Sequence, residues 1–295
     1  MFVDTHLHLA DVTYDQDRQA VINRASTAGV TTLVEIAESP ETWETAVRLA
    51  DQYPFVYASL GIHPHHAHEA VPDRWPELSK KLREFLKHPK VVAIGEFGLD
   101  YFRMRNTKEQ QEYLFRQQLE LAKELNKPIV IHCRDKQTSS PAASGGGSMD
   151  SPPTTGGNDG KGSAHADIQK ALAMYYPHTS YERASPQPNG VIHCFSGTWE
   201  DAQAYLAHGF LLGIDGPVTY PNSKTLKENV ARLPLERIVL ETDSPYLPPQ
   251  TRRGQRNEPS SIPIIADAVG SLQHKTTEEV ARQTTLNARA LFRID

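Results

Sequence analysis

The sequence predicts an α/β fold of the (β/α)8 TIM-barrel class, and three observations carry that expectation. Eight short apolar runs recur along 295 residues, amphipathic stretches separate most of them, and polar residues gather at the ends of the runs. Apolar strands alternating with helices imply a parallel sheet covered by helices. Eight such units are the number that closes a barrel. The runner-up is an open doubly wound sheet, and the lack of a Gly-rich phosphate fingerprint after the first run weighs against it.

In chain order the runs are FVDTHLH (2–8), TTLVEIA (31–37), FVYASLGIHP (55–64), VVAIGEFGLD (91–100), PIVIHCR (128–134), GVIHCFSG (190–197), GFLLGIDG (209–216) and RIVLETDSP (237–245). Between them, PETWETAVRLADQY places Trp43, Ala46, Val47 and Ala50 on one helical stripe. TKEQQEYLFRQQLELAKELN does the same with Tyr113, Leu114, Leu121 and Leu125. One segment departs from the pattern. Residues 137–163 are dominated by Ser, Gly, Pro and Thr, a composition that cannot bury a core and reads as a disordered insertion within a single domain spanning 1–295. It follows the fifth strand and precedes the helical ADIQKALAMYY, so in a barrel it is a βα loop on the catalytic face.

Composition narrows the class. At 38% hydrophobic and 23% charged the chain reads as a soluble globular protein. No apolar run approaches the roughly 20 residues of a membrane span. No basic segment followed by an apolar stretch opens the chain, so no signal peptide is expected. Two cysteines do not make a disulfide framework and point to a reducing compartment. The expected location is therefore cytoplasmic, or nuclear in a eukaryote. A net charge of −5 does not resemble a nucleic-acid coat, although bound divalent cations supply local positive charge whatever the total.

The first run raises the functional question, because it places His6 and His8 at the end of a core strand with only Leu7 between them. Alternate residues of a strand share a face, so His6, His8 and Asp4 are expected to point the same way. Buried imidazoles need partners for their nitrogens, and a metal ion is a common one. The other strand ends agree: the third carries His63 and His65, the fourth Glu96, the fifth His132, the sixth His193 and the eighth Asp243. Barrel enzymes build their sites from these ends. Mixed imidazole and carboxylate donors suit Zn²⁺, Mn²⁺, Fe²⁺ or Co²⁺, and admit Mg²⁺ at the carboxylate-rich part. Six ligands exceed one tetrahedral ion, whereas two divalent ions about 3.5–4 Å apart, bridged by Glu96, use them all. Cys133 and Cys194 each follow a ligand histidine, so the period of two turns them outward as structural thiols rather than ligands or nucleophiles.

The motifs FVDTHLHL, GIHPHHA, AIGEFGLDYF, PIVIHCRD, VIHCFSG and LETDSPYLPP occur in order from residue 2 to about 249, followed by RNEPSSIP (256–263). Together they resemble the TatD family of metal-dependent deoxyribonucleases, within the amidohydrolase-type barrel superfamily. The resemblance implies His6, His8 and Asp243 on one metal, His132 and His193 on a second, and Glu96 between them. It also implies DNase or exonuclease activity. Members of the wider superfamily often bridge their metals with a modified lysine; here Lys90 precedes the fourth strand and Glu96 lies within it. The insertion at 137–163 is the main departure and bears on the cleft rather than the ligands.

The expected chemistry is phosphodiester hydrolysis of DNA, with RNA a further substrate, by a metal-activated hydroxide. Asp243 is the candidate general base and Glu96 orients the ion pair. His63 and His65 are placed against phosphate. Arg134 follows the ligand strand and offers a phosphate contact, or else a salt bridge to Asp135. Arg252, Arg253 and Arg256, after the eighth strand, offer a backbone grip or form a solvated basic loop. Tyr101, Phe102 and Tyr246 are either base-stacking or packing residues, and His66 and His68 are expected in solvent. Strand ends or single strands are the favoured substrate, and the expected oligomeric state is a monomer. The same site on another substrate gives the alternative, an ester or amide hydrolase such as an aminoacyl-tRNA deacylase. A non-catalytic binding barrel is opposed by the complete ligand set.

Overall fold

Each of the eight apolar runs forms a strand in the computed structural model, which describes residues 1–135, 162–177 and 187–294. The strands are β1 (Phe2–Leu7), β2 (Val30–Ala37), β3 (Val56–Leu60), β4 (Val91–Asp100), β5 (Ile129–Arg134), β6 (Gly190–Ile192), β7 (Phe210–Ile214) and β8 (Ile238–Leu240). They form one sheet in sequential order with every neighbouring pair parallel. A parallel bridge between Leu7 and Ser244 closes it, supported by His8 N–H donating to the Ser244 carbonyl at 2.8 Å and Asp243 N–H to the His6 carbonyl at 2.9 Å.

Among the described residues the helices are α1 (Arg18–Thr27), α2 (Trp43–Gln52), α3 (Trp75–Phe85), α4 (Lys108–Leu125), α5 (Ala164–Tyr175), α6 (Trp199–Ala207), α7 (Lys224–Arg232), α8 (Ile262–Gln273) and α9 (Thr277–Phe292). The stripe expected on α2 is buried at Trp43, Ala46 and Ala50, with Leu49 taking the place given to Val47. On α4 the buried face is Leu114, Phe115, Leu119, Leu121 and Ala122, with Tyr113 and Leu125 only partly covered. Thr107 starts α4 with a capping box: its hydroxyl accepts from Gln110 N–H and Gln110 Oε1 accepts from Thr107 N–H. The Ser/Gly/Pro-rich segment read as 137–163 lies outside the described residues except at its end, where the boundary moves. Ser163 belongs to the fold, as the N-cap of α5. No helix among the described residues is long and apolar enough to cross a membrane.

Two apolar layers hold the barrel. Outside it, strand residues such as Leu33, Ile131, Leu212 and Leu240 pack against the helices. Inside it, Val3, Val34, Val92, Val130, Val191, Leu211 and Val239 form a second cluster, joined by Ala288, Leu291 and Phe292 of α9. Such branched residues, drawn from seven of the eight strands, fill a barrel rather than leave a pore. The C-terminal ends of the strands are thereby left for polar groups.

One expectation about β1 changes. The β1–β2 register shifts between Asp4 and Leu7, so strict alternation does not carry from Asp4 to His6. Asp4 turns to the β8 side instead. Its carboxylate accepts from Thr242 N–H at 3.0 Å, Thr242 Oγ1 at 2.6 Å and His6 N–H at 3.3 Å. Asp4 thus ties the ligand-bearing end of β1 to that of β8 and is fully buried. Replacing it strands three buried donors, each worth about 1–3 kcal/mol when left unpaired. Asp4→Ala is expected to lower the thermal midpoint by several degrees, of order 2–4 °C per kcal/mol in a chain of this size. A melting curve that superimposes on the wild type would show that the seam does not depend on it.

Candidate metal centre

The strand ends converge as the sequence suggests. Glu96, 3% exposed, lies at the centre. Its Oε1 is 2.6 Å from His132 Nδ1, 3.9 Å from His193 Nε2 and 3.9 Å from His63 Nε2, while Oε2 is 3.4 Å from His6 Nε2. Asp243 forms a second focus, with Oδ1 at 3.3 Å from His8 Nε2, 3.7 Å from His6 Nε2 and 3.8 Å from His193 Nε2. Asp243 reaches this place through a left-handed backbone (φ 52°), a conformation Asp tolerates better than most residues. The rings of His6 and His193 stack with centroids 3.4 Å apart.

Several of these imidazoles are held from behind. The His8 Nδ1 is 3.3 Å from the Ile36 carbonyl, the His132 Nε2 is 3.4 Å from Asp100 Oδ2, and the His193 Nδ1 is 2.9 Å from Glu241 Oε1. Contacts of this kind fix which nitrogen faces the centre, the arrangement seen around metal-ligating histidines generally. Glu241 fits because β7 has a glycine opposite it: a Cβ on Gly213 would lie 2.4 Å from Glu241 Oε2. Glu35, at the end of β2, accepts from Leu9 and Ala10 N–H and so fixes the chain just beyond His8. Asp100, Glu241, Glu35 and Asp4 are absent from the sequence-derived site. Glu241 and Asp100 stand inside motifs already singled out, at two residues before Asp243 and four after Glu96. That even spacing at a strand end was the available signal.

Charge balances in this cluster. Burial works against ionised Glu96, but His193, His132 and His6 hold its carboxyl well below the usual range. Burial likewise opposes a charge on His8, yet the bond to Asp243 takes it up to about 10. His132 rises to about 9 against the same burial, through Glu96 and Asp100. His6 moves the other way, lowered by burial and by its stacked neighbour His193.

The donors suit divalent metal ions. Three groups place one ligand atom from each member within 4.8 Å of the others: His6, His8 and Glu96; His6, His193 and Glu241; and His63, Glu96 and His132. Neither ring nitrogen of buried His6 has a hydrogen-bond partner, as expected of an imidazole kept for a cation. All six residues read from sequence as ligands (His6, His8, Glu96, His132, His193, Asp243) are therefore brought to one rim.

The residues assigned to substrate fall into different places. His63 joins the Glu96–His132 group, and His65 Nε2 pairs with Asp100 at 2.9 Å. Arg134 lies over the Phe102 ring at 4.3 Å rather than on Asp135. The Asp135 carboxylate instead accepts from Ser163 Oγ and Ala164 N–H at the start of α5. Arg252 bonds Ser260 and Ser261 and lies 3.5 Å from Glu258, Arg253 lies over Tyr220, and Arg256 pairs with Asp17 at 2.7 Å. Tyr101 is a packing residue, 2% exposed with its hydroxyl donating to Asp167. His66 is half-buried against Glu69, whereas His68 is exposed. Cys133 faces outward, with Tyr205 Oη 3.7 Å from its sulfur. Cys194 lies beyond the end of β6 with φ 46°, so strand alternation does not govern it; Asp215 is its neighbour.

A closed parallel barrel with imidazole and carboxylate donors at the C-terminal rim is the build of a metal-dependent hydrolase. More narrowly, the chain belongs to the TatD related DNase family, whose profile matches residues 3–293. It is 36% identical over 295 residues to the uncharacterized metal-dependent hydrolase YabD of Bacillus subtilis, covering 100% of both chains. It is 36% identical to the 3'-5' ssDNA/RNA exonuclease TatD of Pantoea vagans, covering 99% of each. Among solved structures, the TatD homologue YjjV of Escherichia coli superimposes with a TM-score of 0.80 at 28% identity, covering 100% of this chain and 98% of that one.

Because His8 and His132 keep their protons near neutral pH, a metal must displace them. Calorimetric titration of metal-free protein with Co²⁺ at pH 8, in two buffers of different ionisation enthalpy, is expected to show net proton release. Apparent affinity should fall as pH drops from 9 to 6. Binding heats that do not depend on the buffer would mean that the imidazoles are already neutral.

Proposed function

We propose that this chain is a metal-dependent nuclease that hydrolyses phosphodiester bonds of DNA, preferentially at single-stranded ends, and accepts RNA. The observation that carries the reading is the convergence of His6, His8, His63, His132 and His193 on Glu96 and Asp243. Membership of the TatD family and likeness to relatives named as ssDNA/RNA exonucleases support it.

His6, His8 and Asp243 would hold one divalent ion and His132 and His193 a second, with Glu96 within reach of both sets. Bound there, such ions supply Lewis-acid polarisation of a phosphoryl oxygen and a lowered pKa for water. The chain's own residues do the rest. Asp243 accepts the proton of the attacking water, a role suited to an oxygen kept ionised against burial by His8 and His193. Glu96 holds the donor set together. His63 and His65 stand beside Glu96 and Asp100, where they can donate to a phosphate oxygen. Arg134 adds a guanidinium at the same side. The reading of one barrel domain rests on the single eight-stranded sheet. A cytoplasmic location rests on the two free thiols.

End-labelled single-stranded DNA incubated with Mg²⁺ or Mn²⁺ should shorten progressively, beside a panel of esters and lactones. Intact DNA with an ester turned over would replace the nuclease with an ester hydrolase. Asp243→Asn is expected to cut turnover at least about a hundredfold, in line with loss of a general base, while the far-UV spectrum at the assay temperature stays that of the folded wild type. Glu96→Ala should abolish turnover and reduce bound metal, read by elemental analysis. Wild-type rates in either variant would remove the role given to that residue.

A further inference from the structure

The loop between β4 and α4 presents chemistry that the metal centre does not use. Phe102 is 51% exposed and Met104 is 41% exposed, two apolar side chains two positions apart on one loop. Arg103 and Arg105 beside them are exposed and have no carboxylate partner among the described residues. Arg134 arrives from β5 and lies over the Phe102 ring at 4.3 Å.

The loop is built rigidly. Asp100 Oδ1 accepts from Phe102 N–H at 2.9 Å and Arg103 N–H at 2.7 Å, while its Oδ2 faces His65 and His132. Gln111 bonds the backbone at both ends of the loop, at Asp100 and Asn106. One carboxylate therefore fixes both the loop and the histidine cluster, so the exposed tip stands one side chain away from the catalytic rim. By contrast, Arg252 and Arg256 on the β8 side are engaged by Glu258 and Asp17.

We propose that this loop, with Arg134, is the docking platform for single-stranded nucleic acid: Phe102 stacks a base, and Arg103 and Arg105 pair with phosphates of the same strand. The proposal rests on the nuclease reading and adds where the strand lies. An exposed ring backed by a guanidinium accepts any base face, and unpaired arginines follow a backbone without reading sequence. A blunt duplex, whose bases are stacked on each other, cannot use the ring.

Binding measured in EDTA, by fluorescence anisotropy with labelled dT12, separates docking from chemistry. Phe102→Leu is expected to weaken binding at least about fivefold and Phe102→Trp to preserve it. Arg103→Ala/Arg105→Ala should weaken binding by a similar factor and reduce the slope of log affinity against log salt by about 1.4, two phosphate contacts at about 0.7 each. Arg116→Ala, which removes one charge more than two turns along α4, should change affinity by less than about twofold. Labelled rU12 should behave as dT12 does, and a blunt duplex should bind more weakly. Unchanged affinity in the loop variants, an equal effect of Arg116→Ala, equal duplex binding or no wild-type binding would each overturn the platform. The nuclease reading stands or falls separately, on cleavage by the metal-loaded wild type.

Discussion

The upper barrel depends on a carboxylate that is buried and still ionised. Glu96 has lost nearly all contact with water, and desolvation alone would neutralise such a group. Imidazoles from β1, β5 and β6 prevent that, and the effect is mutual. Glu96 and Asp243 are what allow His8 and His132 to hold protons in a setting that otherwise disfavours them. Removing one sign from such a cluster leaves the other uncompensated, which is far more destabilising than losing one contact. A divalent cation supplies the compensation that the protons supply. The centre is thus preorganised for metal by the same electrostatics that make it stable without one.

Preorganisation needs a rigid base, and the lower barrel provides it. Valine and leucine side chains from the strands close the interior, and α9 packs under them through Leu291 and Phe292. Above that layer the interior turns polar, and nearly every polar side chain is gripped by another strand. Asp4 joins β1 to β8, Glu35 holds the turn after β1, and Glu241 occupies the space left by Gly213. Burial takes Asp4 up to about 8 and Glu35 to about 7, so neither is placed where a charge is cheap. What they contribute is position, holding β1 so that His6 and His8 both face the centre.

Much of this was legible in the sequence, for a physical reason. Parallel strands buried on both faces must be apolar throughout, so a histidine or carboxylate ending such a run stands out. His6, His8, Glu96, His132, His193 and Asp243 all have that signature. Asp4 also follows an apolar start, but its direction departs from the expected one because the register shift in β1 breaks the period of two. The same period does not extend to Cys194, since β6 ends at Ile192 and the next residues leave the strand. Asp100 and Glu241 act through histidines on other strands, so even spacing from Glu96 and Asp243 marks their position without naming their partners. Ser163 sat at the edge of a low-complexity stretch, where composition hides a helix cap from view.

The rim's charges are distributed unevenly, and this bears on how a polyanion approaches a chain with net charge −5. On the β1–β8 side the exposed Tyr246 ring stands near His8, but its surroundings are acidic, with Asp11 in contact and Glu38 and Asp243 nearby. Two of the three arginines on that side face carboxylates, Arg252 near Glu258 and Arg256 on Asp17, which leaves Arg253 over the Tyr220 ring. On the β4–β5 side the guanidinium of Arg134 is engaged by a ring, and no carboxylate among the described residues pairs with it. Fields from paired charges fall off faster than those from unpaired ones, so the number of arginines near a loop is a poor guide to its pull on phosphate. The run Arg252, Arg253 and Arg256 looks stronger in the sequence than the pair Arg103 and Arg105. In the folded chain the order reverses, because what counts is the charge left over once neighbouring carboxylates have been assigned.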